Sequence, residues 1–216
     1  MRTTTLVGVN VSIKLSSLAC YPLLPCRAEQ QVTLYPHRDT NNDWLIVNAT
    51  NDAFDYKNEP LQYISTGTRL KLRHLVTELH LHSHDIRPPV SDVDFQNEVS
   101  AYGMHGFTGD ANDEWIVEIE KGDKRDKHSW NRLRTLRTHF RLRHMMSGCY
   151  LFSHKVKLPE WGYEQQEVTC NKNAVRPNSL WFVETSTHPT CESTIRFVLQ
   201  SEIVNNLISA FRWREG

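Results

Sequence analysis

The chain carries the same pattern three times, and that constrains its fold more than any other feature. Residues 69–84, RLKLRHLVTELHLHSH, align without a gap to 139–154, HFRLRHMMSGCYLFSH, with Leu72/Leu142, Arg73/Arg143, His74/His144, Leu81/Leu151, Ser83/Ser153 and His84/His154 in register. QNEVSAY (96–102) then matches QQEVTCN (165–171), and EQQVTLY (29–35) matches both. Each copy ends in a polar turn and a tryptophan: NNDWLIV (41–47), NDEWIVE (112–118) and NSLWFVE (178–184). Asn41, Asn112 and Asn178 each stand three residues before Trp44, Trp115 and Trp181. Ordered matches at three places are the signature of a fold built from one repeated unit. The first copy is the eroded one. Where the others read LHLHSH and CYLFSH it reads CYPLLPC, and between Ile13 and Val32 it is several residues shorter.

The unit is β. In RLKLR and HFRLR the apolar Leu70/Leu72 and Phe140/Leu142 alternate with basic residues, the period of a half-buried strand. The runs after each Trp are β-branched or aromatic, and Asn, Asp, Gly and Pro clusters separate them. One copy cannot cover its own apolar face, whereas three around a pseudo-threefold axis close a barrel and remove most sheet edges. The expectation is an all-β chain folded as a β-trefoil over about 7–188, with repeats of about 7–60, 61–134 and 135–188 and about twelve strands. In that frame the three Trp residues serve the core, and the Asn before each shapes its turn, because Asn tolerates left-handed backbone. The insert KGDKRDKHSWNR (121–132) reads as a solvated loop. Farther on, Ile203, Val204, Leu207, Ile208 and Phe211 recur at helical spacing. This predicts an amphipathic helix over about 201–213 in a tail of 189–216, docked on the barrel or, through Arg212, Trp213 and Arg214, set at a membrane interface.

Composition excludes several classes. The 216 residues carry a formal net charge of zero, so no global field draws the chain to nucleic acid. No window approaches the ~18 apolar residues of a bilayer span, so no transmembrane segment is expected. The N-terminus, interrupted by Asn10 and Lys14, reads as a strand-like start rather than a leader. Five cysteines form no close CxxC pair, which argues against a structural zinc site. Asn10-Val-Ser12 and Asn48-Ala-Thr50 are glycosylation sequons compatible with a secretory compartment.

His80, His82 and His84 alternate, as three zinc ligands on one strand face would. The same positions in the third copy read Tyr150, Phe152 and His154, so only the last follows the repeat. Ser83–His84 and Ser153–His154 therefore read as architecture, an imidazole bonded to a neighbouring turn, and no metal is expected. Asp39/Asp43 and Asp110/Asp113 are paired carboxylates in surface turns, and no GxSxG, P-loop or GxGxxG is present. No catalytic residue and no cofactor are expected. Binding fits better: turns offering Asn and Asp beside an aromatic ring supply the hydroxyl partners and the apolar face that neutral sugars need. The candidate ligand residues are His82, Ser83, His84, Asp110, Asn112 and Asp113 in the second copy, with Ser153, His154, Asn41 and Asp43 in the others.

LHSHDIRPPVSD, QNEVSAYG, FTGDANDEWIVEI, FRLRHMMSGCYLFSH, LPEWGYEQQEVTC and VTLYPHRDTNNDW together resemble the MIR domain of fungal-type protein O-mannosyltransferases, nearest the type-one subfamily, over residues 27–188. The resemblance implies a β-trefoil in the lumen of the endoplasmic reticulum, attached to a membrane-embedded mannosyltransferase core. Such enzymes move mannose from dolichyl phosphate mannose to Ser or Thr of secretory proteins. Implied partners are a glycan or a Ser/Thr-rich acceptor polypeptide, the membrane core and a second mannosyltransferase subunit. The alternative is a free-standing lumenal MIR protein that assists folding. The family's catalytic acidic pair lies in an earlier lumenal loop, so no catalytic residue carries over and this segment alone is expected to be inactive. Of the family's Leu-x-Ser-His motif, Leu81, Ser83 and His84 match, as do Leu151, Ser153 and His154. The first copy departs from it, with Tyr21-Pro-Leu-Leu-Pro25 in its place. In an oxidising lumen a Cys149–Cys170 disulfide is compatible with neighbouring strands, although spacing leaves connectivity open.

Overall fold

Alternation along the chain sets the strands. In Trp115–Ile119 the residues Trp115, Val117 and Ile119 are buried while Ile116 and Glu118 are partly exposed; in Phe140–His144 Phe140, Leu142 and His144 are buried between Arg141 and Arg143. The computed structural model describes residues 12–16, 29–35, 40–49, 64–91, 96–120, 133, 138–184 and 198–200. Their strands are β1 (Ser12–Ser16), β2 (Gln30–Tyr35), β3 (Trp44–Asn48), β4 (Arg69–His74), β5 (His80–Ser83), β6 (Gln96–Tyr102), β7 (Trp115–Ile119), β8 (Phe140–His144), β9 (Tyr150–Lys157), β10 (Gln166–Asn171), β11 (Phe182–Glu184) and β12 (Val198–Gln200). Single 3-10 turns occupy Thr40–Asn42, Ala111–Asp113, Glu160–Gly162 and Arg176–Asn178.

All pairings are antiparallel, and eight strands form a closed circuit: β2 pairs with β6, then β5, β4, β7, β8, β9 and β10 follow, and β10 returns to β2. β1 adds to β2 and β3 to β4. β11 and β12 make a separate two-stranded sheet. The chain is all-β as expected, but the twelve-stranded, three-repeat trefoil is corrected to an eight-stranded closed barrel with added strands. The pairing explains the difference. β2 bonds to both β6 and β10, so the EQQV, QNEV and QQEV segments enter one circuit rather than staying in separate units, and β11 leaves the barrel for β12. The helix expected over 201–213 lies outside the described residues.

Closure leaves one core, in which Trp44, Trp115 and Trp181 sit with Leu70, Leu81, Val99, Leu142, Leu151 and Val168. The core role expected for the three Trp residues is what the barrel shows. Trp115 Nε1–H donates to the Leu81 carbonyl at 2.9 Å, and Trp181 Nε1–H to that of Leu151 at 3.1 Å, so the indole partners follow the repeat as the sequence does. Those bonds keep the indole donor from being buried without a partner. Cys149 and Cys170, on either side of the β9–β10 pair, form a disulfide with Cα atoms 5.3 Å apart.

Candidate functional site

The turn before each tryptophan is built the same way. The Asn three residues ahead offers its backbone carbonyl to a buried histidine: His74 Nε2–H donates to Asn41 O at 3.1 Å, and His144 Nε2–H to Asn112 O at 2.9 Å. The other ring nitrogen accepts from the Thr77 or Ser147 backbone N–H at 3.3 Å, which puts the proton on Nε2. Each ring also packs on its Trp, His74 on Trp44 at 5.1 Å and His144 on Trp115 at 5.0 Å. Burial lowers the His144 pKa, opposed by the Asn112 carbonyl. A basic residue braces the turn from below. Lys71 Nζ donates to Thr108 O at 2.9 Å, and Arg141 Nη2 to Ala174 O at 3.1 Å, each four residues before the turn's Asn.

What differs is the middle of the turn. Asp113 is fully buried, and Oδ1 accepts from His82 Nδ1–H at 2.8 Å, while Oδ2 accepts from the Asp110 N–H at 2.6 Å. Asp110 in turn takes the Asn112 N–H at 2.7 Å, closing a capping box. Gly109 has φ +86, and a Cβ there would lie 2.8 Å from Asp113 Oδ2, so the carboxylate tucks under the turn only because that residue is glycine. With its Nδ1 proton given to a carboxylate, neutral His82 accepts at Nε2, from His84 Nδ1–H at 3.2 Å. The His82 ring lies 4.8 Å from that of Tyr102, which meets Phe107 edge-on at 5.8 Å; Phe107 also takes the edge of His80 at 6.0 Å. Asp110 is 44% exposed and 4.0 Å from His82. The second copy thus joins a buried Asp113–His82 pair, an accessible carboxylate and two aromatic rings on one edge.

The expected site residues divide. His82, His84, Asp110, Asn112 and Asp113 come together, Asn112 through its backbone. Ser83 turns away, its hydroxyl donating to the Glu98 carbonyl at 2.8 Å. Ser153 offers only its carbonyl, to Asn178 Nδ2 at 2.8 Å. Asn41 and Asp43 serve the β4 hairpin, where Asp43 O accepts the Leu75 N–H at 2.9 Å. His154 accepts the Val156 N–H at Nδ1 and meets Ser91 Oγ at 3.0 Å and Glu167 Oε2 at 3.5 Å through Nε2. Burial lowers its pKa, and Glu167 opposes the shift. Glu167 is itself fully buried and accepts the backbone N–H groups of Val90, at 3.0 Å, and Ser91, at 3.1 Å, tying the second copy's loop to the third copy.

Sequence reasoning missed Tyr102, Phe107, Lys71 and the buried Glu167. Glu98 and Glu167 stand at matched positions in QNEV and QQEV, a signal the alignment held. Two sets of three possible metal ligands gather among the described residues, each with ligand atoms within 4.8 Å: His82, Asp110 and Asp113, and Glu29, His84 and Glu98. His80 belongs to neither. In the first set both Asp113 oxygens already accept hydrogen bonds, so a cation there has to displace the His82 or Asp110 donor.

Comparison with known proteins gives this barrel its family. Residues 16–183 match the MIR domain, and the chain belongs to the MIR domain family. It is 51% identical over 164 residues to dolichyl-phosphate-mannose–protein mannosyltransferase 1 of Saccharomyces cerevisiae, covering 74% of this chain and 20% of that protein. Among solved structures it resembles the S. cerevisiae protein O-mannosyltransferase Pmt1-Pmt2 complex bound to the sugar donor, with TM-score 0.64 and 45% identity over 89% of this chain and 27% of that one. It also resembles the SDF2-like protein from Arabidopsis thaliana, with TM-score 0.59 and 25% identity over 74% of this chain and 81% of that one. The chain spans about a fifth of the length of the curated relatives it matches. No helix among the described residues is long and apolar enough to cross a membrane.

Proposed function

We propose that this segment, over residues 7–188, is the lumenal MIR module of a protein O-mannosyltransferase in the endoplasmic reticulum. The parent transfers mannose from dolichyl phosphate mannose to Ser or Thr of secretory proteins; the module itself is non-catalytic and binds glycan or acceptor polypeptide at the second copy's edge. Similarity to a mannosyltransferase over three-quarters of the segment supports the parent activity, and similarity to a two-subunit complex supports a membrane core and a second subunit as partners.

One observation carries the binding part. Asp110 is held half-exposed by its capping box beside the buried Asp113–His82 pair, with the Tyr102 ring against His82. A carboxylate that accepts from sugar or Ser/Thr hydroxyls, next to an aromatic ring, is the pairing that a polyhydroxyl ligand needs. Titration of the chain with methyl α-mannoside and with a mannosylated Ser/Thr peptide, followed by amide NMR, tests it. Shifts centred on 80–84, 102 and 107–113, lost in Asp110→Ala, are expected; silence of those amides at millimolar ligand sinks the reading. A second reading, a free-standing MIR protein that assists folding by protein contact, is favoured by the 81% coverage of the SDF2-like chain. Membrane-span coding sequence adjoining this segment in its reading frame removes that alternative.

A further inference from the structure

The third copy carries a surface that the glycan reading does not use. Between β9 and β10 the chain runs LPEWGYEQ, Leu158–Gln165. The loop is fastened by five backbone hydrogen bonds: Leu158 N–H to Gln165 O at 2.8 Å, Gly162 N–H to Pro159 O at 2.8 Å, Tyr163 N–H to Glu160 O at 2.9 Å, Glu164 N–H to Pro159 O at 3.4 Å and Gln165 N–H to Gly162 O at 3.1 Å. Leu158 and Gly162 are buried beneath it, and a Cβ at Gly162 would come within 2.4 Å of Leu158 Cβ. The fastening holds Tyr163 at φ 54 and Glu164 at φ 51, backbone that side-chain-bearing residues rarely take.

This rigid frame displays polar and aromatic groups rather than hiding them. Tyr163 is 68% exposed, Glu160 and Glu164 are exposed on either side of it, and Trp161 is partly so. Lys155, Val156 and Lys157 continue the exposed surface on β9. A large aromatic on a pre-ordered loop is what protein interfaces concentrate, because little entropy is lost when it is covered. Small sugars want a concave site, whereas this is the projecting tip of a hairpin. Charge selects the partner further: an exposed phenol ring between two carboxylates suits a lysine or arginine side chain, which meets the ring face and both acids together.

We propose that the Glu160–Glu164 loop is a docking point for a polypeptide segment bearing lysine or arginine, separate from the second copy's edge. The full chain is titrated with a Ser/Thr peptide carrying two lysines, with the same peptide carrying glutamates instead, and with methyl α-mannoside, again read by amide NMR. The lysine peptide is expected to shift the amides of 160–165, with affinity falling about tenfold or more in Tyr163→Gly and on raising salt. Tyr163→Gly is the safe variant for folding, since glycine takes φ 54 freely. Glu160→Gln/Glu164→Gln tests the charge while keeping the shape. The proposal is overturned if the lysine peptide leaves these amides unmoved, if the glutamate peptide shifts them as strongly, or if Tyr163→Gly binds as the parent does. Mannoside shifts at 160–165 equal to those from the lysine peptide also overturn it.

Discussion

The second and third copies share their strands and part company at the turn before the tryptophan. Asp110, Asp113 and His82 of the second copy become Arg176, Ser179 and Phe152 in the third, and where Asp113 accepts from an imidazole, Ser179 accepts from Arg141 Nε at 2.9 Å. The brace below the turn and the indole bond stay the same in both. A repeated fold thus fixes the residues that fasten strands together and releases those on the turn, so one copy gains an accessible acid with aromatic rings while its sister gains a projecting loop.

The shared frame carries the largest effects. Trp115→Ala and Trp181→Ala are each expected to cost about 3–5 kcal/mol, because each empties a fully buried site and strands a carbonyl. Urea denaturation measures both. If one costs several-fold less than the other, the equivalence of the two copies is wrong at its centre.

Next in size is the cross-link that only the third copy has. Cys149 and Cys170 stand where the second copy has Leu79 and Ala101, both buried. Installing that pair, Cys149→Leu with Cys170→Ala, removes a loop constraint over a separation of 21 residues, worth about 3 kcal/mol on the chain-entropy account. Packing from the incoming leucine offsets part of that loss. A variant as stable as the parent under oxidising conditions makes the disulfide irrelevant to the comparison.

Much of this was legible before any coordinates. Strands over RLKLR and HFRLR, the buried tryptophans and the turn role of Asn41 and Asn112 all follow from short-range pattern, since alternation and turn chemistry act locally. Closure did not follow, because β2 pairing with both β6 and β10 depends on contacts far apart in sequence that periodicity does not encode. The same limit explains the site. Spacing put Ser83 and His82 side by side as ligand neighbours, but adjacent residues on a strand face opposite ways, so only His82 reaches Asp113. Tyr102 and Phe107 join the site through the β5–β6 register, in which His82 lies opposite Ser100.

A smaller and sharper effect tests whether the Asp–His pair is a unit. His82→Phe copies the third copy's residue but leaves the Asp113 carboxylate buried with one donor fewer, at a cost of about 1–3 kcal/mol. Adding Asp113→Ser removes the stranded charge and copies the third copy again. The double variant is therefore expected to be less destabilised than the two single losses summed, by at least about 1 kcal/mol. Strict additivity in a double-mutant cycle means that the pair is not coupled and that His82 is held by its ring contacts alone.

The smallest effect is a pH dependence, and it belongs to the third copy. His139, His144 and His154 all have their pKa lowered from 6.5, chiefly by burial; Glu120, the Asn112 carbonyl and Glu167 respectively oppose the shift. Below 6.5 the unfolded chain takes up protons that the folded chain still refuses, so the unfolded state binds more and stability rises with pH. The contribution is intact above 6.5 and is lost as pH falls from there through the folded values. His154→Asn removes one titrating ring while its side-chain oxygen can still accept the Val156 N–H. Urea midpoints between pH 7.5 and about 5 are expected to fall for the parent and to fall less steeply for His154→Asn. An unchanged slope in that variant means that the imidazole held between Ser91 and Glu167 titrates alike in both states, and the acid sensitivity then rests on His139 and His144, nearer the tryptophan frame.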